Sequence, residues 1–75
     1  MNLENFISDI SNEILKECFE EIRDYRKTGI LKENGAVRKI NSLYEEKIGY
    51  EYPAIRIEQF ILFEISRRWY DTYKN

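Results

Sequence analysis

Between Ala54 and Tyr73 apolar residues recur at steps of three and four with no helix breaker among them, so that Ile57, Ile61, Ile65, Trp69 and Tyr73 form one line over about four turns. The pair Ile55 and Ile57 flanking Arg56 also alternates as a strand would, but strands are rarely this long, and the helical period prevails. Pro53 suits the first turn of such a helix and drives Tyr52 toward an extended conformation. A helix over 54–73 is therefore the element around which the remaining residues must pack.

That helix carries more apolar surface than one core uses. With Ile61 at the centre of the core line, Ala54, Ile57, Ile65 and Trp69 lie near it, whereas Phe60 and Phe63 point about 100° and 160° away. Arg56, Glu64, Arg67 and Lys74 share that second side, with Tyr70 at its border. Two arrangements satisfy a helix of this kind: neighbouring helices clamp it from both sides, or part of its circumference meets another chain. Aromatic side chains flanked by arginine are the composition of interface anchors, which favours the second arrangement. Arg56, Phe60, Phe63, Arg67 and Tyr70 are the candidate protein interface, through which a homodimer could close or a different protein could dock. A chain of 75 residues builds a single small core, and a second chain would add to it.

The preceding residues supply two further helices. Leu3, Ile7, Ile10, Ile14, Cys18, Ile22 and Tyr25 are spaced by threes and fours, which predicts one long helix over 3–27, with Asn2 at its start and Gly29 taking the left-handed position at its end. In that arrangement Ile30 folds back on Tyr25. Ala36, Val37, Ile40, Leu43, Tyr44 and Ile48 predict a second helix over 35–48, capped by Asn34 and ended by Gly49. The expected fold is all-α: a compact three-helix bundle of one domain, completed in one version by homodimerisation through the third helix.

Charge is unevenly distributed although the formal net charge is only −2. Residues 1–24 hold seven acids against two bases, a balance of −5, and residues 25–75 hold ten bases against seven acids, a balance of +3. On a continuous first helix Asp9, Glu13, Glu17, Glu20, Glu21 and Asp24 fall on one arc opposite the apolar line, and Phe6 projects into the same arc. The simpler reading of this ridge is a solvated face; the sharper one is an acidic surface aimed at a basic partner, such as the nucleic-acid-binding surface of a larger protein.

The residues that carry chemistry are few. With no histidine and one cysteine the chain assembles neither a disulfide nor a Cys/His metal site, and Cys18 lies on the apolar line, where a small core side chain is expected. No glycine-rich phosphate loop and no calcium loop is present, so no cofactor is expected and catalysis is not. The first residues lack a basic, then apolar leader and no stretch reaches membrane-spanning length, so a cytoplasmic chain without a membrane partner is expected. The alternative function is a helix-turn-helix regulator, with Arg56 and Gln59 at base edges and Arg38, Lys39, Arg67 and Arg68 on phosphates. Dispersed bases, negative net charge and phenylalanines on the would-be recognition helix make nucleic acid the weaker reading. The leading expectation is a protein–protein interaction module of the inhibitor or adaptor type. Abundant Ile, Lys, Glu, Asn and Tyr with a single Val suit an AT-rich genome, and small size suits a phage or mobile-element protein that blocks host defence.

Overall fold

In the computed structural model, residues 2–74 are described, Lys74 by its backbone alone, and every regular element among them is a helix. There are four: α1 (Leu3–Ser8), α2 (Asn12–Thr28), α3 (Ala36–Ile48) and α4 (Ala54–Lys74). The second and third expected helices form within a residue of their expected bounds. The first does not, and the bundle has four helices instead of three.

The break falls at residues 9–11, where the chain gathers Ser8, Asp9, Ser11 and Asn12, side chains that compete with the helical backbone for its hydrogen bonds. Asn2 caps α1 by accepting the Asn5 N–H at 2.9 Å, and the last turn tightens as Ile10 N–H donates to the Ile7 carbonyl at 3.1 Å. Ser11 then adopts extended backbone, φ −66 and ψ 156, and its hydroxyl accepts the Ile14 N–H at 3.3 Å to start α2 afresh. Restarting the helix changes its phase. Leu15 takes the buried position beside Cys18 and Ile22, while Ile14, expected in the core, is 43% exposed. Phe6, expected among the acids, packs inward on Tyr44 with ring centroids 5.3 Å apart.

The connections are fixed by side chains reaching from the helices. At the end of α2, Gly29 takes the left-handed position at φ 77, as expected, but Ile30 stays exposed instead of covering Tyr25. Thr28 accounts for the difference: its hydroxyl accepts the Ile30 N–H at 3.2 Å and leads the chain outward. Asn34 does not cap α3. Gly35 occupies the cap position without a side chain, and Glu21 of α2 supplies the carboxylate, accepting the Ala36 and Val37 N–H groups at 2.8 and 3.1 Å. A Cβ at position 35 would land on that carboxylate, which is why glycine fits there. Between α3 and α4, the Tyr52 N–H donates to Glu45 at 2.8 Å and the Tyr52 carbonyl accepts from Asn41 at 3.0 Å, so α3 holds the linker through both main-chain polar groups of one residue.

The core forms where α1, α2 and α3 each pack on α4. Its fully buried side chains are Ile7, Cys18, Ile22, Val37, Ile57 and Ile61. Each large aliphatic residue among them stabilises the fold by about 1.5 to 3 kcal/mol through removal from water. The inward line of α4 runs Ile57, Ile61, Glu64, Arg68, not Ile57, Ile61, Ile65, Trp69: Glu64 is buried, Ile65 is half-buried, and Trp69, expected in the core, is 64% exposed. The reason lies opposite the last turns of α4, where the chain breaks between α1 and α2 and presents carbonyl groups instead of an apolar stripe.

Candidate protein-interaction surfaces

The inward charged pair of α4 explains how its outer faces come to be presented. Arg68 donates to the Glu64 carboxylate at 2.7 Å, to the Asn12 side chain at 2.7 Å, and to the carbonyls of Ser8 and Ile10 at 3.1 and 2.7 Å. These are the carbonyls the helix break leaves without helical partners, so one guanidinium closes the end of α1 and the start of α2. Glu64 also accepts two hydrogen bonds from Arg67, which in turn donates to Asp71 at 2.9 Å. The Arg67 hydrogen bonds hold the Glu64 carboxyl below its ordinary value, with Arg68 adding to them and burial opposing.

Around this latch, the five expected interface residues share one side of α4 but are not equally available. Phe63 and Tyr70 are 60% and 57% exposed, and Arg56 is exposed. Phe60 is half-buried against the core and, with Phe63, Gln59 and Glu4 of α1, lines a shallow cleft of about 270 Å³. Arg67 is held in place by its two carboxylates instead of standing free at the surface. Farther around the helix, Trp69 and Tyr73 stack at a centroid distance of 5.1 Å and an interplanar angle of 15°, both open to solvent.

The acidic ridge does not survive as a set of six. Glu13, Glu17, Glu20 and Asp24 stay exposed on α2, where Glu17, Glu20 and Asp24 share a shallow cleft with Arg23 and Lys32. Asp9 drops out because it sits in the break at the end of α1, and Glu21 drops out because it turns in to cap α3. Among the described residues no group of three acidic or cysteine side chains stands close enough to hold a metal ion. Cys18 is fully buried, and burial, followed by the nearby charges of Glu21 and Glu17, pushes its thiol up to about 12, so the thiolate is not populated at neutral pH. Among the same residues no helix is long and apolar enough to cross a membrane.

A further surface lies between α2 and α4. Leu15, Phe19 and Ile22 from one helix and Leu62 and Ile65 from the other line two adjoining clefts of about 290 and 510 Å³ that share Phe19 and Ile65. The α2 residues Lys16, Phe19, Arg23 and Arg26 that line it form a helical line visible in the sequence, but it mixes charge with one aromatic residue and escapes a search for purely apolar or purely acidic stripes. For the helix-turn-helix reading, Arg67 and Arg68 are both bonded to carboxylates and Arg68 to main-chain carbonyls as well, whereas Arg38 and Lys39 line a separate surface cleft on α3. No protein-family model, curated protein or solved structure matches the chain.

Proposed function

We propose that this is a small, non-enzymatic protein-interaction module of the inhibitor or adaptor type, which acts by docking the outer side of α4 on a larger protein. The observation that carries the reading is the exposure of Phe63 and Tyr70, each more than half open to solvent on the side of α4 that also presents Arg56, in a chain that buries only a small core. Large apolar patches on a small folded chain mark interaction surfaces, and aromatic residues beside arginine are enriched where binding energy concentrates. Phe63 and Tyr70 are the anchors, Phe60 lies beside Phe63 in the same cleft, and Arg56 supplies an exposed cation. Glu13, Glu17, Glu20 and Asp24 add a negative field that favours approach to a basic partner.

Self-association through the same side of α4 is the homodimeric version of this proposal. Phe63→Asp combined with Tyr70→Asp tests both versions, because both side chains are exposed and their replacement leaves the core intact. The expected result is unchanged helical circular dichroism together with a fall in mass by sedimentation, or with loss of a partner captured by the wild type. A double variant that matches the wild type in mass and in partner capture would rule out this face. A flat titration against duplex DNA at low salt separates the proposal from the helix-turn-helix alternative, since phosphate attraction is strongest there.

A further inference from the structure

We infer that the trough between α2 and α4 is a second docking surface, and that its occupant is an acidic amphipathic helix of another protein. The inference does not rest on the outer side of α4 described above, because the trough lies on the other side of that helix and is built jointly with α2. Its floor is apolar: Leu15, Phe19 and Ile22 face Leu62 and Ile65 across it. From Leu15 to Ile22 the floor runs about 10 Å along α2, the length of two helical turns. Phe19 is 45% exposed, so the floor is partly wet as it stands.

The lip decides the occupant. Lys16, Arg23, Arg26 and Lys27 line it from α2, while Ser66 lines it from α4. Two acids touch these cations: Asp24 lies 3.3 Å from Arg23 in an exposed pair, and Glu58 lies 4.0 Å from Arg26. Lys16 and Lys27, toward the two ends of the trough, have no ion-pair partner within 4.0 Å among the described residues. An apolar floor with a cationic edge requires an occupant with an apolar stripe and acidic flanks, which is the helix-in-groove mode of recognition. Nucleic acid would meet the cations but would set polar backbone against the floor, and a flat lipid surface does not enter a concave trough. A second copy offers acids at Glu13, Glu17, Glu20 and Asp24, but no exposed apolar line runs among them, so it lacks the stripe the floor requires.

The test uses a synthetic amphipathic helix of about 18 residues with leucine at every third or fourth position and glutamate on both flanks, compared with the same peptide carrying lysine for glutamate. Titrated into the full, isotope-labelled chain, the glutamate peptide is expected to shift amide signals of residues 15–27 and 62–66 saturably, and to bind about tenfold or more tightly than the lysine peptide. Lys16→Glu with Lys27→Glu should reverse that ranking while helical circular dichroism stays unchanged, and Phe63→Asp with Tyr70→Asp should leave it as it was. The proposal fails if the lysine peptide binds as tightly. It also fails if the glutamate peptide shifts signals around Phe63 and Tyr70 instead, if neither peptide binds by about 1 mM, or if duplex DNA or a second copy of the chain produces the same shifts.

Discussion

Residues 3–28 and residues 54–74 have nearly the same apolar periodicity, yet the first stretch folds as two helices and the second as one uninterrupted helix of 21 residues. The difference lies in what stands between the apolar positions. In the first stretch four short polar side chains gather at 8–12, and Ser11 offers a hydroxyl to an N–H of its own chain. In the second, the corresponding middle holds Glu64, Arg67 and Arg68, long side chains that satisfy one another along the helix without disturbing its backbone. The two regions are also coupled, because Arg68 of the unbroken helix bonds the carbonyls released by the broken one. Similar periodicity therefore does not imply similar continuity; local capping chemistry and a partner for the broken end decide it.

The comparison breaks most severely if the coupling is removed. Arg68→Ala leaves the Ser8 and Ile10 carbonyls without their donor and takes one cation from Glu64. The expected loss is about 2 to 3 kcal/mol in urea denaturation, below the value for a fully buried pair because Arg67 remains and because the Arg68 side chain is 24% exposed. Amide exchange in residues 3–8 should accelerate more than exchange in α3, since α1 is the element the guanidinium holds. The same contact sets a pH dependence. Glu64 has a folded value below its ordinary one of about 4.5, so its ionised form stabilises the fold above that pH, and the stabilisation is lost as pH falls from there through the folded value. In Arg68→Ala that acid sensitivity should be weaker, as read by the denaturation midpoint between neutral pH and pH about 3.

A smaller effect sharpens the role of the cap. Ser11→Ala removes the hydroxyl that starts α2 and should cost about 1 kcal/mol. If the break is held mainly by Arg68, the variant remains bent and Ile14 remains exposed; a continuous helix would instead move Ile14 inward and Leu15 outward, which side-chain contacts in solution would report. The smallest effect distinguishes the ends of the unbroken helix. Trp69→Ala should change stability by no more than about 0.5 kcal/mol because the side chain lies outside the core, whereas Ile61→Ala should cost about 2 to 5 kcal/mol. A Trp69 variant as damaging as the Ile61 variant would return Trp69 to the core.

Much of this was legible in the residues themselves. The helical class, the bounds of α3 and α4, the left-handed end at Gly29, the stop at Gly49 and the burial of Cys18 follow from period and turn chemistry. The break at 9–11 had its signal in Ser8, Asp9, Ser11 and Asn12, but the unbroken apolar steps from Ile7 to Ile14 concealed it. The candidate surfaces divided in the same way. Helical angle set Phe63 off the core line but left open whether a neighbouring helix covers it; the capture of Glu21 by α3 and of Arg67 by Glu64 had no such signal, because each depends on where a long side chain finds its partner.

By itself, then, the sequence determined which residues become helices and which sides of those helices are apolar, since period, caps and glycine positions act within a few residues along the chain. The tertiary structure decided what the charged residues do. Glu21 caps another helix across 15 positions, Arg68 closes a break 58 positions away, and two helices distant in sequence bring Phe19 and Ile65 to one trough. A carboxylate or guanidinium satisfied by backbone groups or by an opposite charge can be buried, while one left facing water remains available to another molecule. That choice depends on separations of a few ångströms in space, which spacing along the chain does not set.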